Sequence, residues 1–158
     1  AITNYCNDNG KLLISGSNIA TDIWDKVFDF PIDSARVADV VAPSKEFAQN
    51  VLHWRWMTNY AAKNGKVKAA PSPYCFNGTY DFYTEMNEEV YSAESPDAIN
   101  PVGEGAYTIF RYADNNISAG VAYDGDYKVV TLGFPIETIK SEDAQLEIIK
   151  EVCNFFEK

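Results

Sequence analysis

Hydrophobic and polar positions along this chain switch between a helical period and a strand period. Residues 1–9 carry Ile2, Tyr5 and Cys6 at helical spacing and run into Gly10, a residue suited to the left-handed stop of a helix. Lys11-Leu-Leu-Ile-Ser15 is then a short apolar run suited to a strand buried on both faces, and it empties into Gly16-Ser17-Asn18, a sharp-turn composition. We expect that strand to be interior, with Leu12, Leu13 and Ile14 out of water. A helix over 20–28 should follow, with Ile23, Trp24 and Phe28 inward and Thr21 and Asp22 near its positive end.

Pro43-Ser44 opens a second helical pattern with Phe47, Val51 and Leu52 facing in, and an aromatic stretch containing Trp54 and Trp56 leads to Asn64-Gly65. Beyond it the period shortens. Residues 67–70, 80–83, 107–112, 117–123 and 128–134 alternate or run apolar between Asp114-Asn115-Asn116 and Asp124-Gly125 turns, which reads as strands joined by hairpins. A last amphipathic helix starts after Ser141 as N-cap, with Glu142 and Asp143 in its first turn and Leu146, Ile149, Val152 and Phe156 on its apolar face. The pattern is that of one α/β domain over 1–158 with a three-layer wound mixed sheet of the flavodoxin-like kind. Such a domain ordinarily opens on a central strand, whereas here a helix precedes the first strand. We therefore expect one or more βα units to belong to a longer parent chain, and a sheet edge left bare or filled by another chain.

Composition narrows the function classes. The 158 residues are 46% apolar, enough for one core, and the formal charge of −10 with no run of Lys and Arg disfavours nucleic acid as a partner. No apolar stretch approaches the ~20 residues of a membrane helix. Cys6, Cys75 and Cys153 are few, odd in number and far apart, which reads as buried free thiols rather than a disulfide framework or a C-x-x-C site. Neither a metal nor a cofactor is expected: Glu85, Glu88, Glu89, Asp124 and Asp126 lack calcium-loop order, and Gly103-Glu-Gly105 lacks the third glycine of a dinucleotide fingerprint and reads as a turn.

Ser17 stands after a strand and before a helix, where a nucleophile can be raised above a sheet and helix N-terminal amides can hold an oxyanion. G-x-S-x-G is absent, and helix capping by Ser17 or Asn18 is the plainer reading. His53 is the one histidine, so a Ser-His mechanism has to use it; its neighbours suggest a ring packed beside aromatics. Trp54 and Trp56, if exposed in a shallow groove, would offer sugar-stacking platforms, as would exposed tyrosines.

Gly10-Lys-Leu-Leu-Ile-Ser-Gly-Ser17 and Val130-Thr-Leu-Gly-Phe-Pro-Ile-Glu-Thr138, followed by a final helix, resemble the class I glutamine amidotransferase-like fold. More specifically, Ile14-Ser-Gly-Ser-Asn-Ile-Ala-Thr-Asp22 and Gly133-Phe-Pro-Ile-Glu-Thr-Ile139 resemble domains of secreted Bacteroidetes proteins labelled xanthan lyase or golvesin-related, over nearly the whole chain. The resemblance implies an exported setting, secreted or at the cell surface or periplasm. In the amidotransferase superfamily a Cys elbow acts with a His and a Glu from a Phe-His-Pro-Glu sequence. Here Glu137 matches the acid, Pro135 stands where the His belongs, and the elbow holds Ser17 with no Cys. A proline neither accepts a proton nor offers a backbone donor, so the ancestral site should be dead and Phe134-Pro-Ile-Glu137 should be a rigid turn with Glu137 held by hydrogen bonds.

The leading expectation is a non-catalytic accessory or binding domain of a larger exported protein, its partners the rest of its own chain and, as a candidate, polysaccharide. The first alternative is a serine hydrolase or amidase using Ser17, His53 as base and Glu137 as orienting acid. The second is a carbohydrate-binding module using exposed Trp and Tyr rings.

Overall fold

The computed structural model describes residues 1–25 and 37–158, with 37–40 described by their backbone alone; Phe28 lies outside the described residues. The elements run α1 (Ile2–Asn7), β1 (Lys11–Ser15), α2 (Ile19–Asp25), α3 (Val37–Asn50), β2 (Trp54–Thr58), β3 (Lys66–Ala69), β4 (Thr79–Asp81), β5 (Ala98–Pro101), β6 (Ala106–Tyr112), β7 (Ser118–Asp124), β8 (Lys128–Leu132), a 3-10 turn (Ile136–Thr138) and α4 (Glu142–Glu157). The result is a mixed α/β fold. A six-stranded sheet has the order β1-β8-β7-β6-β3-β4, and β2 with β5 forms a separate antiparallel pair. Only β1 and β8 run parallel, with Lys11 beside Lys128 and Ser15 beside Leu132; the other pairs in the large sheet are antiparallel.

The sheet separates two apolar cores. One contains Phe82, Phe110, Val130, Leu132 and Phe134 under Ile148, Val152 and Phe155 of α4. The other gathers Cys6, Ala20, Ala48, Leu52, Trp54, Ile99, Val121 and Val129 under α1, α2, α3 and the β2–β5 pair. Alternation along β8 explains the division, because Val129 and Val130 point to opposite faces.

The interior position expected for residues 11–15 does not form. β1 ends the described sheet, and Leu12, Leu13 and Ile14 are half-buried. Its run is apolar because Leu13 leans on the α4 core while Leu12 and Ile14 lean on the other, so both faces are served without a second neighbouring strand.

The last helix also departs from its expected register. Ser141 caps it, accepting the Ala144 N–H (3.4 Å), but the buried positions are Ile148, Val152 and Phe155, while Leu146 and Ile149 are 53% and 42% exposed and Phe156 is half-buried. α4 is therefore apolar around more of its circumference than the sheet covers. Pro43 lies within α3 rather than opening it. Of the three thiols, Cys6 is buried, which pushes its pKa up; Cys75 and Cys153 are exposed, against the expectation of buried thiols throughout.

Candidate functional site

The candidate site lies where β1 and β8 end and the chain turns into α2. Asn18 takes a left-handed φ of 60° and donates its N–H to Ser95 C=O (3.3 Å), which aims the start of α2 at the segment before β5. Asp97 waits there, fully buried. Its Oδ2 accepts the N–H groups of Ala20 (2.8 Å) and Thr21 (3.4 Å), and its Oδ1 accepts the Thr21 hydroxyl at 2.5 Å. The Trp56 indole N–H in turn donates to Thr21 Oγ1 (2.9 Å). Asp97 is held by its own backbone: its N–H donates to Gly133 C=O (2.7 Å), and the buried Tyr112 hydroxyl donates to Asp97 C=O (2.7 Å) and Gly133 C=O (3.2 Å). Position 133 needs glycine, since a Cβ would run into the Asp97 carbonyl. Burial raises the carboxyl pKa above its ordinary value, and the donors from Thr21, Ala20 and Trp56 pull against that rise without cancelling it.

The helix N-terminus that an oxyanion would use is thus filled by a carboxylate of the chain itself. Ser17 is half-buried and its Oγ, shut off from solvent, meets no hydrogen-bond partner among the described residues. Ser15 instead does the local bonding: its hydroxyl donates to Phe134 C=O (3.1 Å) and accepts the Ile136 N–H (2.8 Å), clamping the Phe134-Pro135 turn onto β1. Glu137 follows in the 3-10 turn, exposed, and accepts the Tyr91 hydroxyl (2.6 Å).

His53 stands elsewhere. It takes φ 59°, its ring stacks on Tyr123 (centroids 3.4 Å apart, 11° between planes) and its Nε2 is 3.0 Å from the Tyr127 hydroxyl. That hydroxyl also lies 3.0 Å from Val51 C=O, and burial pushes it up to about 12. Desolvation lowers the imidazole pKa below its usual value. Tyr127 precedes β8, whereas Ser17 lies past the opposite end of β1 in the same parallel register. At ~3.3 Å per residue the seven positions from the level of Tyr127 to Ser17 separate the two sites by roughly 20–25 Å along the strands. Ser17 and Glu137 share one end of β8; His53 belongs to the other.

Trp54 is fully buried, its indole N–H donating to Thr131 Oγ1 (3.0 Å), so its ring offers no platform to a ligand. Trp56 is half-buried and tied to Thr21. Tyrosines supply the aromatic surface instead. Tyr74, Tyr107 and Tyr123 with Glu104, Asp124 and Asp126 line an open cleft of about 550 Å³ at the His53 end of the sheet. Tyr107 is 44% exposed and meets Tyr74 edge to face (5.4 Å, 89°), and the Tyr74 hydroxyl donates to Gly105 C=O. Gly103 and Gly105 make the adjoining turn at φ 88° and 82°, conformations that favour glycine.

Among the described residues no group of three or more His, Cys, Asp or Glu is placed to hold a metal ion, and no helix is long and apolar enough to cross a membrane. Asp97 is not legible as a site residue, because nothing in a Ser-Pro-Asp-Ala sequence announces a helix cap supplied from the segment before β5, 76 residues downstream of Thr21. The chain matches no protein-family model and no curated protein sequence.

Proposed function

We propose that this chain is a non-catalytic accessory domain of a larger exported protein, with the rest of its own chain as partner and polysaccharide as a candidate ligand. One observation carries the non-catalytic part: Asp97 occupies the α2 amides with a carboxylate, leaving no positive pole for a developing oxyanion beside Ser17. The distance of His53 from Ser17 and the proline at position 135 support the same reading. The kinship we infer is with amidotransferase-like, flavodoxin-like wound domains; it rests on the β1-turn-α2 unit and on the Phe134-Pro-Ile-Glu137 turn after β8. The exported setting rests on the resemblance alone. Hydrolysis of aryl ester and amide substrates by the purified chain, abolished by Ser17→Ala, would overturn this reading.

The Tyr74–Tyr107–Tyr123 cleft favours carbohydrate as what the domain binds: the exposed Tyr107 ring can stack on a sugar C–H face, and the three carboxylates can accept hydroxyl hydrogens. Affinity electrophoresis through acidic and neutral polysaccharide gels tests it. Retardation lost in Tyr107→Ala is expected; equal mobility of both proteins in every gel would contradict it.

A further inference from the structure

The free edge of β1 shows which of its backbone groups are open. Lys128 N–H donates to Gly10 C=O (3.2 Å) and Gly16 N–H to Leu132 C=O (3.3 Å), so even-numbered residues of this segment point at β8 and odd-numbered ones away. The Tyr5 hydroxyl covers the outward groups of Lys11, donating to its C=O (3.0 Å) and accepting its N–H (3.1 Å). The outward N–H and C=O of Leu13 and of Ser15 have no backbone partner among the described residues.

Beside this edge runs the uncovered side of α4. Glu151 marks the opposite side, because its Oε1 accepts the Asn77 N–H near β4 at the far end of the sheet. At 3.6 residues per turn, exposed Ile149 falls on the flank turned away from Glu151, toward β1, while exposed Leu146 and Cys153 lie further round, turned away from the buried face of Ile148, Val152 and Phe155. Leu13 leans on the core beneath the same helix.

We propose that β1 is a self-association edge: two copies pair their β1 strands antiparallel about a two-fold axis at Ile14, making one continuous sheet. In that register Leu13 of each copy lies opposite Ser15 of the other, and their open N–H and C=O groups satisfy one another in full, while the blocked Lys11 falls opposite Ser17. A register centred on Leu13 would instead need the groups Tyr5 already holds. No charge on the strand meets its own kind, since Lys11 never faces Lys11. The axis stands perpendicular to the sheet, so each face meets its equivalent and Ile149 of each α4 is turned toward the other copy. A second copy therefore supplies both things this edge lacks, a strand and an apolar helix on the same face.

Sedimentation velocity over micromolar to sub-millimolar concentrations tests the pairing. We expect a monomer–dimer equilibrium that tightens with added salt, because each copy carries a charge of −10 and screening weakens their repulsion. Leu13→Pro removes an N–H that faces away from β8, and Ile149→Lys changes an exposed residue; each should weaken the dimer about tenfold or more, with circular dichroism unchanged. Should Leu13→Pro fail to fold, Ile149→Lys decides alone. A wild-type chain that stays monomeric throughout, or a dimer indifferent to Ile149→Lys, overturns the proposal.

Discussion

The Asp97 carboxylate receives the hydroxyl of Thr21 at 2.5 Å and, on its other oxygen, the N–H groups that open α2. This contact joins the β1-turn-α2 unit to the β2–β5 pair, since Asp97 directly precedes β5 and Thr21 is also the acceptor for Trp56 on β2. Truncating it strands several donors in a dry region. Asp97→Ala should cost about 2–4 kcal/mol, read from urea unfolding midpoints.

The same residue makes a pH prediction. Its folded pKa is raised, so from the ordinary carboxyl range up to that raised value the folded state holds a proton the unfolded state has lost. Stability from this group is therefore present at low pH and falls as pH rises across that window. The stability advantage of wild type over Asp97→Asn should shrink on going from strongly acidic to neutral pH. An advantage that grows instead would show that the donors outweigh burial.

His53 behaves with the opposite sign. Its folded pKa is lowered by burial, so below about 6.5 the unfolded chain takes up a proton that the folded imidazole resists. Stability should fall from pH 7.5 to 5.5 more steeply in wild type than in His53→Asn, a residue that tolerates the left-handed backbone at this position. Thermal melts of the two proteins at both pH values give the comparison.

Ser17 and Glu137 should both be expendable for the fold. Removing a hydroxyl that has no partner should leave stability within about 0.5 kcal/mol of wild type or raise it slightly, so Ser17→Ala is expected to be neutral or stabilising. Glu137→Ala loses one exposed bond to Tyr91 and should cost no more than about 0.5–1 kcal/mol. Chemical denaturation of each variant checks these values.

Much of the secondary structure is readable from the residues. The period-2 segments became β3, β4, β6, β7 and β8 within a few positions, and Ser141 capped α4. Neighbour relations were less readable. Leu12-Leu13-Ile14 has the same apolar signature whether strands flank it on both sides or helices cover both its faces, so periodicity could not place β1 at the edge. On α4, Leu146 and Ile149 continue an apolar arc beyond what the sheet covers, so the pattern gave the face a breadth but not a centre. The β2–β5 pair joins residues forty or more positions apart, and the aromatic run 54–58 carries no clean alternation because Trp54 is buried while Arg55, Met57 and Thr58 are exposed. At the candidate site, Ser17 and Glu137 could be located by resemblance to their positions after β1 and β8. The part that decides their chemistry, Asp97 capping α2, arises from tertiary contact.

The most direct test of the non-catalytic account is intact-mass measurement after exposure to a fluorophosphonate, which phosphonylates a serine only where a base and an oxyanion site activate it. The chain should remain unmodified at neutral pH over hours. Stoichiometric addition mapped to Ser17, and lost in His53→Ala, would mean that the α2 amides are free to serve a nucleophile and that Asp97 does not hold them.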